Sequence, residues 1–384
     1  MGLRFWILAA IYHAVLVAVC AARARAWLRR DPASLGGVAF WRALAGDALW
    51  CGATAVLVAV VLATALPDPP FAAMRFGAQA LFGEALLFLL FLSVLHWRRR
   101  VIPRFTLLVA GAVVLLAVYV DAYHLEPHWL RIEEHQVDLT GRLSADRPGT
   151  IRLLHLSDIQ THRVGEYERR VVRAAAGLEP DLVILTGDYV HERHLPNGVD
   201  TGRQLAELLL REGPRPPLGT WAVGGDTDGS TIEEQLRENG VGWLDDQAVT
   251  VVVPGGASLT LIGLAPATSR EGRHHTLRRL LAEAPSDSLR IVFGHAPDFV
   301  LGLQEGPRID LALAGHTHGG QVVVPFFGPL LTLSDVPRHV AAGGVHELGT
   351  VRVHVSRGVG MERGSAPQIR FFCPPEICLL TLRY

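Results

Sequence analysis

Apolar residues fill the first third of the chain in long uninterrupted runs, at 4–22, 46–66, 76–96 and 105–121. Each is close to the roughly 20 residues that cross a bilayer as a helix. From 132 onward the runs shorten and alternate with polar positions. Segments at 151–157, 182–186, 220–223, 260–264, 291–293, 311–314, 321–324 and 351–356 predict strands. The spacing at 167–176, 202–211 and 231–239 predicts helices between several of them. The chain therefore divides into a transmembrane domain over 1–122, a linker over 123–131 and an α/β domain over 132–384.

Arginine placement orients the spans. Arg23, Arg25, Arg29, Arg30 and Arg42 follow the first run, and Arg98, Arg99, Arg100 and Arg104 follow the third. Arg75 alone follows the second, and Arg4 alone precedes the first. Positive residues stay on the cytoplasmic side, so the C-terminal domain is expected outside the cytoplasm of a multi-pass membrane protein. Glu84, inside the third run, reads as a lone carboxylate near a helix start, where its side chain can reach the interface.

Composition agrees with a membrane protein: 49% hydrophobic and 19% charged residues. A formal net charge of -1 gives no basic field for nucleic acid. The chain has no lysine, which excludes P-loop and Schiff-base chemistry. Cys20 and Cys51 fall in apolar runs. Cys373 and Cys378 are close enough for a disulfide in an oxidising compartment, but two free thiols are the favoured reading. With no second cysteine pair, a zinc ribbon is not expected.

Five short motifs follow directly on predicted strands: Ser157-Asp158-Ile159-Gln160, Gly187-Asp188, Gly225-Asp226-Thr227-Asp228, Gly294-His295 and Gly315-His316-Thr317-His318. Ligands converge at the carboxyl ends of strands in α/β sheets. A lone aspartate there is ordinarily a cap or turn former, but five such motifs in one order point to a metal centre. In extended chain, His316 and His318 would project to one side and reach a single centre. Imidazoles with carboxylates suit Mn, Fe or Zn.

This pattern resembles the calcineurin-like metallophosphoesterases over 132–384, most specifically in the GHTHGGQ block at 315–321. The ending, Ser356-Arg357-Gly358-Val359-Gly360 with Cys373-Pro374-Pro375-Glu376, is similar to a membrane-anchored branch akin to UDP-diacylglucosamine pyrophosphatases. The resemblance implies a four-layer αββα sandwich and two divalent ions that clamp phosphoryl oxygens and activate water. It implies one ion on Asp158, Gln160 and His318, the other on Asp226, His295 and His316, with Asp188 bridging. Three positions depart from the family: Gln160 replaces a His, Asp226 an Asn and Thr227 a His that serves the leaving oxygen. Thr cannot act as an acid near neutral pH, so His162 is a candidate substitute. Arg357 is either a contact for substrate phosphate or a salt-bridged strand-end residue.

Three functions follow. The first is a metal-dependent hydrolase of a phosphodiester or pyrophosphate in a phosphorylated lipid, nucleotide-lipid or small molecule. The second is a degenerate relative that binds metal and a phosphorylated ligand as a sensor or scaffold. The third, a transporter, is disfavoured by spans holding a single buried charge.

Overall fold

The computed structural model describes residues 3–30, 36–142, 148–191, 198–270, 274–303 and 308–384. It separates into two compact units: Met1–His124 with Glu362–Gln368, and Leu125–Met361 with Ile369–Tyr384.

The first unit is built on four long apolar helices, α1 (Leu3–Arg29), α2 (Gly37–Ala63), α3 (Pro69–Arg98) and α4 (Ile102–His128), the last running on into the second unit. At 27 to 30 residues each is long enough to cross a hydrocarbon core of about 30 Å, at about 1.5 Å per residue. Asp47, buried, and Glu84, half-buried, break the apolar pattern, and each has a partner, as carboxylates in such helices usually do. Asp47 of α2 accepts from Arg23 and, at 2.5 Å, from the indole nitrogen of Trp27. Glu84 lies 2.6 Å from His13 Nδ1. It is therefore neither alone nor near a helix start: it sits within α3, in a π-helical turn over Leu81–Ala85. The loop segment Glu362–Gln368 belongs to this unit, where Ser365 donates to the Pro67 carbonyl at 2.9 Å.

Chain from Asp121 to His128 stays helical in π and 3-10 turns, and β1 (Arg131–Asp138) begins three residues later.

The second unit is a sandwich of two six-stranded sheets. The first sheet runs β1, β14 (Glu376–Arg383), β2 (Thr150–Leu156), β3 (Leu182–Leu185), β4 (Thr220–Ala222) and β5 (Gly242–Trp243). The second runs β12 (Gly344–Leu348), β13 (Val351–Val355), β9 (Leu311–Ala314), β8 (Ser288–Phe293), β7 (Ser258–Gly263) and β6 (Gln247–Val252). A two-residue pair, β10 (Val323–Val324) with β11 (Gly328–Pro329), is what forms of the strand expected at 321–324.

Alternation along the strands builds three apolar layers. Ile151 and Leu153 of β2 and Leu380 and Leu382 of β14 meet Leu259, Leu261, Ile291 and Leu313 between the sheets. Leu154, Val183 and Ile377 face outward under α5 (Glu166–Gly177), α6 (Gly198–Glu212) and α7 (Ser230–Glu238). Ile262, Val292 and Val353 face α9 (His274–Glu283) and α10 (Arg338–Ala341), while α8 (Pro266–Arg270) follows β7. The result is the four-layer αββα arrangement. Strands β2, β3, β4, β7, β8 and β9 carry parallel pairings, which aim their carboxyl ends the same way within each sheet.

Candidate metal centre

Every motif aspartate or histidine stands on the residues just beyond β2, β3, β4, β8 or β9. The backbone there is unusual. Asp158, Gln160, Asp188, His316 and His318 all have φ between 40° and 67°, the left-handed region. A non-glycine residue in that region is uncommon, and such residues cluster at functional sites where the surroundings hold them. The left-handed turns swing side chains off the strand axis toward a common point. His316 and His318 thus converge through two left-handed residues around Thr317 (φ -75°), not through extended chain.

The glycines allow close packing of these loops. Gly187 has φ 90°, and a Cβ there would lie 2.6 Å from the Gly225 nitrogen. A Cβ on Gly225 would fall on the Asp188 carboxylate. Asp228 ties the same loops together, accepting from the amides of Asp188, Tyr189 and Gly225 at 2.8 Å each.

The donor atoms form two linked groups. His295 Nε2 lies 3.5 Å from Asp188 Oδ2, 3.7 Å from Asp226 Oδ1 and 3.3 Å from His316 Nδ1. His316 Nδ1 is 3.5 Å from Asp226 Oδ2. On the other side His318 Nε2 is 3.6 Å from Asp158 Oδ1. Two atoms bound to one ion at about 2.0–2.2 Å fall at roughly this separation. Ring orientation also fits. His295 Nδ1 lies 2.8 Å from the Thr186 carbonyl and His316 Nε2 lies 3.2 Å from the Leu333 carbonyl, which turns the opposite nitrogen of each ring inward. The buried His318 ring has no hydrogen-bond partner on either nitrogen. An orphaned buried imidazole among carboxylates is what a cation would satisfy.

Not every expected residue joins the cluster in the same way. Gln160 points its amide nitrogen at Asp188 Oδ2, 3.3 Å away, so ligation through oxygen needs the opposite amide orientation. Thr227 donates its hydroxyl to the Val190 carbonyl at 3.3 Å and its amide to Asp188 Oδ1 at 2.9 Å. His162 is exposed, and its carbonyl receives the Thr201 hydroxyl. Arg357 is held by carboxylates, 2.6 Å from Glu376 and 3.6 Å from Glu133. To touch a substrate phosphate it would have to leave them.

Two contributors had no role assigned from sequence. Arg270, at the end of α8, reaches Asp226 Oδ2 at 2.6 Å with its side chain half exposed. No strand-end motif marks it. Arg370, fully buried, donates to the carbonyls of Arg357, Gly358, Gly360 and Cys373, bracing the C-terminal loop. Cys373 and Cys378 are both buried free thiols.

Residues 151–320 match the family model described as calcineurin-like phosphoesterase. This is a calcineurin-like phosphoesterase domain. An uncharacterized metallophosphoesterase, YkuE of Bacillus subtilis, is 28% identical over 291 residues, spanning 73% of this chain and 94% of its own. The phosphodiesterase YaeI of Escherichia coli is 27% identical over 73% of this chain and 98% of its own. The UDP-2,3-diacylglucosamine pyrophosphatase LpxG of Chlamydia trachomatis is 25% identical over 69% of this chain and 93% of its own.

Burial and mutual repulsion of the carboxylates set the electrostatics of the candidate site. Burial pushes Asp158 and Asp228 up to about 7, helped by the charge on Asp188, and burial raises Asp188 too. Burial opposes a charge on His295, but Asp188, Asp226 and Asp158 outweigh it and hold this ring protonated well above its ordinary range. Burial lowers His316 to about 4 and His318 well below its ordinary range.

A pH dependence follows. His295, raised when folded, stabilises the fold below the ordinary histidine value and loses that contribution as pH rises through its folded pKa. Asp158 and Asp228 keep a proton in the fold to about 7 that the unfolded chain has already released, so they also cost stability as pH rises toward 7. The depressed histidines act oppositely, but only below about 6.5. Metal-stripped protein should therefore melt at a lower temperature at pH 8 than at pH 6.5. With Mn added the trend should reverse, because ligands bind metal deprotonated. Melting curves at the two pH values, with and without metal, check both signs.

Proposed function

We propose that the protein is a membrane-anchored, two-metal phosphoesterase that cleaves a phosphodiester or pyrophosphate bond in a lipid-linked substrate. The convergence of Asp158, Asp188, Asp226, His295, His316 and His318, with donor atoms 3.3–3.7 Å apart, carries this reading. Asp158, Gln160 and His318 would hold one ion, and Asp226, His295 and His316 the other, with Asp188 between them. Bound ions, Mn, Fe or Zn, would supply positive charge to the phosphoryl oxygens and acidify the attacking water.

The protein's own groups divide the remaining work. Arg270, half exposed beside Asp226, offers a guanidinium that matches a phosphate oxygen pair. Asp228 fixes the loops that carry Asp188 and Asp226. Thr227 commits its hydroxyl to the Val190 carbonyl and supplies no proton to a leaving oxygen. His162, exposed beyond Thr161, is the nearest expected replacement in sequence. A lipid-linked substrate is supported by the four long apolar helices and by the pyrophosphatase name of the Chlamydia relative.

A non-catalytic binder is the second reading, favoured by the amide orientation of Gln160 and by Thr227. Turnover separates the two. Mn-reconstituted protein should hydrolyse bis-aryl phosphodiesters and pyrophosphates, and alkyl diesters more slowly. A proton-donating side chain is typically worth about 10²–10⁴-fold, and the alkyl deficit should fall in that range. Thr227→His should speed alkyl substrates most. A His162→Ala variant should steepen the dependence if His162 donates. Absence of metal-dependent turnover on every diester and pyrophosphate would favour the binder.

The arginines clustered around the α1–α2 and α3–α4 connections support an orientation with the catalytic domain outside the cytoplasm. There it would meet envelope lipids, not cytoplasmic nucleotide-lipids. A C-terminal reporter that folds only outside the cytoplasm should be active. Activity of a reporter that works only in the cytoplasm would reverse the orientation.

A further inference from the structure

Strand alternation should fill the space between the sheets with hydrocarbon, and over most of the sandwich it does. At one end four strands break the rule together. His135 of β1 precedes Val137 by two residues, His155 of β2 follows Leu153 by two, and Cys378 of β14 precedes Leu380 by two. His354 of β13 lies between Val353 and Val355, which face the opposite side. Histidines and a thiol thus replace aliphatic side chains at one level of the inter-sheet layer. None of these residues belongs to the five strand-end motifs.

Their donor atoms converge. One ligand atom each of His135, His354 and Cys378 lies within 4.8 Å of the others. His354 is fully buried, and its Nε2 has no hydrogen-bond partner. An unpaired imidazole nitrogen in such a place is costly.

The hydrogen bonds fix what that nitrogen is. Thr186 donates its hydroxyl to Ser157 Oγ, 2.6 Å away. Thr186 in turn accepts from His155 Nε2 at 2.9 Å. His155 is then bare at Nδ1, and His354 must donate its own Nδ1 proton across the 2.8 Å contact. That leaves His354 Nε2 as a free lone pair in the cluster with Cys378 and His135. A second-shell partner that fixes the tautomer of a ligand is a regular feature of metal sites.

The local charge is suitable too. Arg357, the nearby cation, is paired with both Glu376 and Glu133, so negative charge is in excess before any thiol ionises. Burial raises the Cys378 thiol, with Glu376 and Glu133 adding to it, so without a metal the sulfur stays protonated.

We propose that His135, His354 and Cys378 form a further metal site, separate from the strand-end centre, for a single thiophilic divalent ion of the zinc class. Two imidazoles and one thiolate are a donor set for such an ion. Binding releases the Cys378 proton to solvent and leaves His354 unchanged in protonation. The ion joins β1 and β14 of one sheet to β13 of the other. The hydrogen-bonded chain His354–His155–Thr186–Ser157 then runs from it to the residue that precedes Asp158. Half-buried His135 marks the side from which the ion enters.

Cobalt(II) tests this site independently of catalysis, because the strand-end centre contains no sulfur. Full-length protein in detergent, stripped of metal and titrated with Co(II) to saturation, should develop a near-ultraviolet thiolate-to-cobalt absorption with the intensity of one cobalt–thiolate bond per chain. Cys378→Ser should abolish the band, and Cys373→Ser, also a buried thiol, should keep it. His135→Gln, at the less buried ligand, should weaken cobalt binding by at least about 10–100-fold, the range for losing even an outer partner. Asp188→Asn should leave the band intact. No band in the wild-type protein would overturn the proposal. So would a band that survives Cys378→Ser or vanishes in Cys373→Ser, which would assign the thiolate elsewhere.

Discussion

Asp158 and Asp188 are buried beside the half-buried Asp226 and Asp228, with Arg270 on Asp226 as the guanidinium paired to the group. Two like charges 4 Å apart repel by about 4 kcal/mol at an effective dielectric constant of 20. Much of the surrounding architecture reads as an answer to that repulsion. The left-handed residues aim the side chains inward. The glycines let loops from neighbouring strands approach until amides of one cap carboxylates of the next. His295 is pulled toward its charged form by three of these carboxylates. A pair of divalent cations would resolve the same imbalance more completely, and the orphaned nitrogens of His318 point to where one would bind.

Under the proposed function, Gln160, Asp226 and Thr227 would bear on selectivity more than on assembly. Asp226 adds a charged donor, and Arg270 lies against it. Gln160 still packs against Asp188. Thr227 keeps the backbone contact to Asp188 while giving up an ionisable side chain. Under the proposed function, a centre altered in this way would suit bonds whose leaving group carries its own negative charge, as a phosphate from a pyrophosphate does.

Much of the fold was legible in sequence where local pattern and tertiary role coincide. Long apolar runs marked the four helices, and β3 and β9, short and apolar throughout, were plain from composition. Strand β14 was missed although it lies between β1 and β2: buried on both faces, it has no alternation to read. Strand β1 was missed for the opposite reason, since its sequence Arg131–Asp138 is almost wholly polar. At the site, the strand-end motifs identified residues that do come together. What sequence could not supply was side-chain commitment. Arg357 is held by Glu376 and Glu133 from remote strands, and Arg270 reaches Asp226 from 44 positions away. The Glu84–His13 pair, 71 positions apart, is invisible to any local pattern for the same reason.

The central claim is that Asp188 joins two ions into one centre. Electron paramagnetic resonance of the protein loaded with Mn(II) tests it most directly. The account predicts the signal of an exchange-coupled manganese pair, converted by Asp188→Asn into that of isolated ions. Isolated mononuclear manganese in the wild-type protein at saturating metal would contradict it.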